Sequence, residues 1–184
     1  MRLDDAFFER PTLDVASGLV GCRLIWGRHR GIITEVEAYI GQADPACHAA
    51  KGMTKRTQAM FGPPGRVYVY FIYGMYWCLN IVTEAEGFPA AVLIRALWDE
   101  HERRYLKGPG ILCREFGITG ADYGRDITCE PDIGIEPRVA VLATEYTPRI
   151  GIRVGTEHLW RVVATKEAIT FLKAQPLRAL GDAG

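Results

Sequence analysis

The sequence predicts an α+β fold: a single domain over residues 1–184, with a curved, mainly antiparallel β-sheet, surrounding helices and a protruding β-hairpin. Three observations predict it. Short β-rich runs recur along most of the chain, whereas helical spacing is confined to brief segments. Two successive pairs of runs are joined by short turns, Gly27-Arg28-His29-Arg30 and Tyr73-Gly74, which favours antiparallel neighbours. Val67–Ile72 and Met75–Val82, rich in Val, Ile, Tyr, Phe and Trp, flank Tyr73-Gly74 like the arms of a hairpin.

The elements follow in order. Thr12 is placed to cap a helix whose apolar positions are Leu13, Ala16 and Leu19, and Gly21 ends it. Cys22–Trp26 and Gly31–Ile40 are strands joined by Gly27-Arg28-His29-Arg30. In the second strand, alternation puts Ile33, Glu35, Glu37 and Tyr39 on one face and Thr34, Val36, Ala38 and Ile40 on the other. Residues 41–61 have mixed polarity and predict a long loop with at most a short helix. Loops of that length in a compact domain are often functional. After the hairpin, Ala90–Ala96 is a buried strand. The segment 98–116 holds helical pieces interrupted by Gly108-Pro109-Gly110. Arg138–Leu142, Ile150–Val154 and Trp160–Ala164 are short strand candidates, and Ala168–Leu172 is a short helix or turn.

Charge gives no pointer to a partner by its total, since 22 Lys and Arg balance 22 Asp and Glu. Its distribution is more informative. Residues 45–83 contain no acid but carry Lys51, Lys55, Arg56 and Arg66, while Arg138, Arg149, Arg153 and Arg161 make a second, sparser set. One basic face and a merely acid-free loop fit equally well. Five cysteines without a CxxC pair argue for reduced thiols, and the scattered histidines argue against a metal site. No run is long and apolar enough to span a membrane, and the start lacks the apolar core of a signal peptide. The expected location is the cytoplasm, or the nucleus for a eukaryotic chain.

Three places can carry chemistry. The hairpin tip sets Tyr73 in a turn that projects into solvent. Such an aromatic suits a wedge that unstacks a nucleic-acid duplex, a protein-binding tip, or a ring folded back on the sheet. Glu37, beside Tyr39 and two residues from Glu35, suits a general base if its strand face lines a pocket, and an ordinary polar strand residue if it does not. His48 in the acid-free loop is a candidate donor, and Asn80 and Arg95 are polar positions in strands that need partners.

Long motifs in this order resemble the alkyladenine DNA glycosylase family, the mammalian-type 3-methyladenine or methylpurine glycosylases. The segments that carry the likeness are Glu35-Val36-Glu37-Ala38-Tyr39-Ile40-Gly41, Asp44-Pro45-Ala46-Cys47-His48-Ala49 and Met60-Phe61-Gly62-Pro63-Pro64-Gly65. Tyr68 to Ile81, Leu93-Ile94-Arg95-Ala96-Leu97, Gly108-Pro109-Gly110 and Pro148-Arg149-Ile150-Gly151-Ile152 continue it, over about residues 7–163. The resemblance implies a monofunctional enzyme that flips a damaged purine out of duplex DNA and hydrolyses its N-glycosidic bond, initiating base excision repair. It implies neither metal nor organic cofactor, and a monomer with double-stranded DNA as partner. It also implies roles. Glu37 would activate the water, and Arg95 would help to hold it. Tyr39, His48 and Tyr70 would wall the base pocket, with the backbone of Ala46 at the purine edge. Asn80 would disfavour guanine, and Tyr73 would fill the hole left in the duplex. The chain departs from the family pattern at Cys47, at Thr57 and after Trp160.

Overall fold

The computed structural model describes residues 1–175. The 12-residue strand β2 (His29–Ile40) organises the molecule, because it pairs on both edges with three other strands. One edge pairs along its length with β5 (Ala90–Asp99). The other is divided: His29–Ile32 pair with β1 (Arg23–Trp26), and Glu35–Glu37 pair with β9 (Arg161–Ala164). The division coincides with a register shift between Ile33 and Val36. Such bulges bend a strand and increase its local twist. β5 divides likewise, giving residues 91–93 to β4 (Tyr76–Val82) and residues 96–99 to β6 (Arg104–Lys107). β3 (Val67–Ile72), β7 (Ile133–Glu136) and β8 (Thr144–Thr147) complete a nine-stranded sheet in which every pairing is antiparallel. The predicted α+β class with a curled antiparallel sheet and a projecting hairpin is the fold observed.

Alternation then sorts the side chains. Val36, Ala38, Val67, Val69, Leu79, Ile81, Val92 and Ile94 enter the main core. Helices α2 (Thr12–Leu19) and α3 (Pro109–Phe116) bury Val15, Ala16, Leu19, Leu112, Cys113 and Phe116 in that same core. The sheet positions between them face the other way. There the loop 41–61 lays Cys47, Ala49 and Met60 over Tyr68, making a smaller second core. Helices α1 (Asp5–Phe8) and α4 (Lys166–Ala174) also reach the main core, through Phe8 and through Ala168, Ile169 and Leu172. No helix among the described residues is long and apolar enough to cross a membrane.

Several local expectations are corrected. Thr12 is not the helix cap: Pro11 holds that position, and the Thr12 hydroxyl bonds Thr83 and Glu84 instead. Ile33 joins the main core rather than the Glu35 face, because the bulge interrupts the alternation. The hairpin loop has three residues, since Ile72 pairs with Tyr76 and leaves Tyr73, Gly74 and Met75 between them. Gly108-Pro109-Gly110 starts a helix rather than breaking one, because proline at the first turn gives up an N–H that has no helical partner there. Residues 104–107 form a strand, not a helix. Arg138–Leu142 is not a strand, because the N–H groups of Val139 and Ala140 turn to the Gly21 carbonyl. Ile150–Val154 is not one either, with Gly151 at φ 75 and the Ile150 N–H directed at a side chain.

Candidate functional site

The second face of the sheet carries a row of directly opposed residues across five strands: Tyr68, Asn80, Leu93, Glu37 and Arg161. Above it lies a cavity of about 590 Å³. Tyr39, Ala46, His48, Tyr70, Tyr73, Asn80 and Arg95 all line it. Of the sequence-predicted residues only Glu37 is set behind the wall, at 0% exposure. The alternation of strands β2 to β5 therefore brings scattered polar residues onto one surface. The long loop supplies Ala46 and His48, and residues 150–154 and 108–111 close the other sides.

Glu37 is buried but well supplied with donors. Its Oε1 accepts the Ile150 N–H at 2.6 Å and lies 3.5 Å from Arg95 Nε. Its Oε2 accepts the Tyr39 hydroxyl at 2.9 Å. Burial pushes the Glu37 carboxyl above the usual carboxylate range, and the Arg95 charge, the Ile150 amide and the Tyr39 hydroxyl only partly oppose it. A carboxylate has about four acceptor positions, and these three contacts occupy most of them. Chemically, that is a base with a raised proton affinity beside a fixed cation.

Glu35 is differently placed. Its Oε1 accepts both Arg95 Nε at 3.1 Å and Arg161 Nε at 2.7 Å, and Arg161 also donates to Thr147. Glu35 thus holds Arg95 from the rear, with little freedom left to act as a base itself. Arg95 in turn spans Glu35, Glu37 and the cavity.

The walls are aromatic. The His48 ring is 4.5 Å from the Tyr70 ring, edge to face, and His48 Nδ1 is 2.9 Å from the Tyr68 hydroxyl. Burial of the ring, helped by nearby Arg56, pushes the His48 pKa down to about 4, so it is neutral at physiological pH. The Asn80 amide donates to the Tyr68 and Cys78 carbonyls at 3.1 and 3.4 Å, which fixes it on the cavity floor. Thr57 is buried and closes its own loop by bonding Thr54 and Gly52.

At the hairpin tip Tyr73 is 84% exposed, with φ 54 followed by Gly74 at φ 66. Its ring is not folded back on the sheet. Met75 beside it is also exposed.

Sequence reasoning missed the Asp44–Arg149 pair. Arg149 donates to Asp44 at 2.6 and 2.9 Å and to the Ala38 carbonyl at 3.0 Å, and both side chains are at 0% exposure. Burial pushes the Asp44 carboxyl up, but the Arg149 contacts and the Ile40 and Ala46 amides outweigh it and hold it below its ordinary value. The Arg149 guanidinium lies over Tyr39 at 4.7 Å and Trp160 at 4.9 Å. Arg161 and Arg66 are also spent in ion pairs, with Glu35 and Asp126. Of the sparser basic set, Arg149 and Arg161 are thus paired, whereas Arg138 and Arg153 are exposed and Arg153 lines the cavity. Only a carboxylate some hundred residues upstream reveals the role of Arg149, and spacing carries no sign of that.

Residues 6–168 match the family described as Methylpurine-DNA glycosylase (MPG). A protein of Wolbachia pipientis wMel is 54% identical over 169 residues, covering 90% of this chain and 93% of its own. One of Ehrlichia chaffeensis is 50% identical over 180 residues, covering 92% and 96%. One of Sodalis glossinidius is 53% identical over 161 residues, covering 86% and 94%. Each bears the name "Putative 3-methyladenine DNA glycosylase". With the family match spanning most of its length, this chain belongs to the methylpurine-DNA glycosylase family and is a DNA glycosylase, a hydrolase of N-glycosyl bonds.

Proposed function

We propose that the chain, acting as one domain and as a monomer, removes alkylated purines such as 3-methyladenine and 7-methylguanine from double-stranded DNA, and with them deaminated or etheno purines. The observation that carries this reading is the buried Glu37 set directly behind Arg95, which lines an aromatic-walled cavity. In the mechanism, Tyr73 enters the base stack as the damaged nucleotide rotates into the cavity. Unstacking costs a few kcal/mol, least for bases already poorly paired. The purine lies among Tyr39, His48 and Tyr70, with its edge against the Ala46 backbone. For a cationic alkylpurine each favourable aromatic contact adds about 1–2 kcal/mol.

The chemistry needs no covalent enzyme intermediate. A water beside Glu37 and Arg95 attacks C1′, Glu37 takes its proton, and the N-glycosidic bond breaks with its electron pair leaving on the purine. N3- or N7-alkylation makes the purine cationic, so it departs neutral. The negative Glu37 also stabilises the oxocarbenium character that develops on the sugar. Asn80, held by two carbonyls and lining the cavity, is the residue assigned to disfavour normal guanine through its 2-amino group.

The test is release of the free base from duplexes holding 3-methyladenine, 7-methylguanine, hypoxanthine or ethenoadenine. Glu37→Gln is expected to abolish release while duplexes with the lesion still bind. Release by Glu37→Gln at the wild-type rate would remove Glu37 from the mechanism, and a borohydride-trapped adduct would contradict attack by water.

A further inference from the structure

We propose that the buried Asp44–Arg149 ion pair is a positioning pair for base excision: it holds the Ile150 amide against Glu37 and locks together the two loops that close the base cavity. The proposal rests on Glu37 being the general base.

The geometry makes one guanidinium answerable for three things. First, Arg149 is fixed by a two-point bond to Asp44 and by the Ala38 carbonyl, at 2.6, 2.9 and 3.0 Å. The next residue, Ile150, sends its N–H to Glu37 Oε1 at 2.6 Å. Any shift of Arg149 moves that donor. Second, Asp44 also accepts the Ala46 N–H at 3.0 Å and the Ile40 N–H at 3.1 Å. It therefore shapes the turn that delivers Ala46 and His48 to the cavity. Third, the guanidinium lies over both the Tyr39 and the Trp160 rings, with Trp160 in turn stacked on His158 at 4.0 Å. It thus buttresses the Tyr39 wall and, through it, the hydroxyl that bonds Glu37.

Arg149 touches neither the cavity nor Glu37, so its action is indirect. It carries one buried cost: its Nε is without a hydrogen-bond partner. A packing role alone does not call for such a charge in the interior, where a paired ion is at best weak evidence of stability. A two-point fork fixes direction as well as distance, which lysine cannot do.

The groups facing Glu37 are Glu35 and Tyr39 from its own strand, Arg95 from β5, Cys78 on β4, Arg161 opposite on β9 and the Ile150 amide. Of these, loosening Arg149 releases the amide first. The amide lowers the Glu37 pKa, so its loss raises it, and the ionised base is then reached only at higher pH.

The experiment compares single-turnover release of 7-methylguanine from a duplex, across pH, for the full-length wild type, Arg149→Lys, Asp44→Asn and Glu37→Gln. Binding of the same duplex and melting temperature are followed alongside. Arg138→Lys is the control, since Arg138 anchors the Ser17 carbonyl far from the cavity. We expect Arg149→Lys and Asp44→Asn to lose on the order of 10²-fold in rate, as small misplacements do. Their acid-side limb should move to higher pH, with duplex affinity changed much less. Arg138→Lys should match the wild type. Should Arg149→Lys melt near the assay temperature, Trp160→Leu serves instead, because it keeps the ion pair and removes only one of the two rings; a smaller shift of the same sign is expected. A folded variant whose rate and acid limb match the wild type overturns the proposal while leaving the Glu37 mechanism standing. Undiminished release by Glu37→Gln removes both.

Discussion

Tyr39 donates its hydroxyl to Glu37 Oε2 at 2.9 Å, although both side chains leave the same face of one strand two residues apart. The bond gives Tyr39 two tasks, because its ring also lines the cavity. Tyr39→Phe separates them. The ring stays, and Glu37 loses a donor that lowers its pKa. The expected result is near-normal lesion affinity, a rate reduced by about 10-fold at neutral pH, and an acid-side limb moved upward. A rate-versus-pH profile with parallel binding isotherms checks it. An unchanged limb would mean that the bond does not tune the base.

Glu37 should cost stability at the pH where it works. Burial raises its carboxyl pKa in the fold above the unfolded value of about 4.3. Its contribution is therefore fully present below that unfolded value and is lost as pH rises through the folded one. Glu37→Gln is expected to melt at or above the wild-type temperature at pH 8, with the difference vanishing toward pH 4. Melting curves at several pH values check it. A variant less stable at pH 8 than at pH 4, relative to wild type, would mean that the contacts of Glu37 outweigh its burial.

The strand pattern made much of this legible. Alternation alone set Glu35, Glu37 and Tyr39 together, and the run of aromatics marked the hairpin. The register that aligns Asn80, Leu93 and Glu37 in one row is a long-range pairing, and no local pattern encodes it. The same holds for the Asp44–Arg149 pair and for the Ile150 N–H. A backbone donor has no side-chain signature, and Arg149 looks like any surface arginine until its partner is found. The missed strands β7 and β8 are four residues each, too short for a period to emerge. The roles attached to the site came from the resemblance to a family; the placement of those residues around one cavity came from the fold.

The hairpin tip is built for exposure at the expense of local comfort. Tyr73 takes φ 54, a region that non-glycine residues rarely visit. Tyr73→Gly removes that strain and the wedge together. The expected outcome is unchanged or slightly raised stability, by up to about 1 kcal/mol, with weakened capture of the flipped base. Melting temperature and fluorescence of a reporter base opposite the lesion check it. If capture is intact, Tyr73 does not enter the stack.

His48 provides a prediction of opposite sign to Glu37. Its pKa lies near 4, below the unfolded value of about 6.5. The neutral ring favours the fold, so its contribution is present above pH 6.5 and is lost as pH falls through 4. His48→Gln should narrow its stability gap to the wild type over that interval. Imidazole resonances should titrate near 4 in the wild type, and base release should show no limb near 6.5 from this residue. Tyr68→Phe, which deletes the partner of Nδ1, should leave the ring neutral, because burial and Arg56 rather than the tyrosine lower its pKa. A His48 that titrates near 6.5 would mean that the loop lifts off the Tyr68 and Tyr70 rings in solution.

The basic loop yields a prediction about salt. Lys51, Lys55 and Arg56 are exposed on the segment that supplies Ala46 and His48, and Arg153 stands at the cavity across from it. Phosphate neutralisation releases counterions, so each lost contact reduces the slope of log K against log salt by about 0.9. Lys51→Ala, Lys55→Ala and Arg153→Ala are each expected to weaken damaged and undamaged duplexes alike and to flatten that slope by about 1. Their single-turnover rates at saturating enzyme should stay near the wild type, because none touches Glu37. Arg56 differs, since its guanidinium also lies over the Tyr70 ring at 5.2 Å. Arg56→Ala should therefore add a loss specific to lesion-bearing duplexes. Affinity titrations over a salt series distinguish the two behaviours. A slope unchanged in all four variants would place the phosphate contacts on another face, and the neutral total charge would then be the better guide.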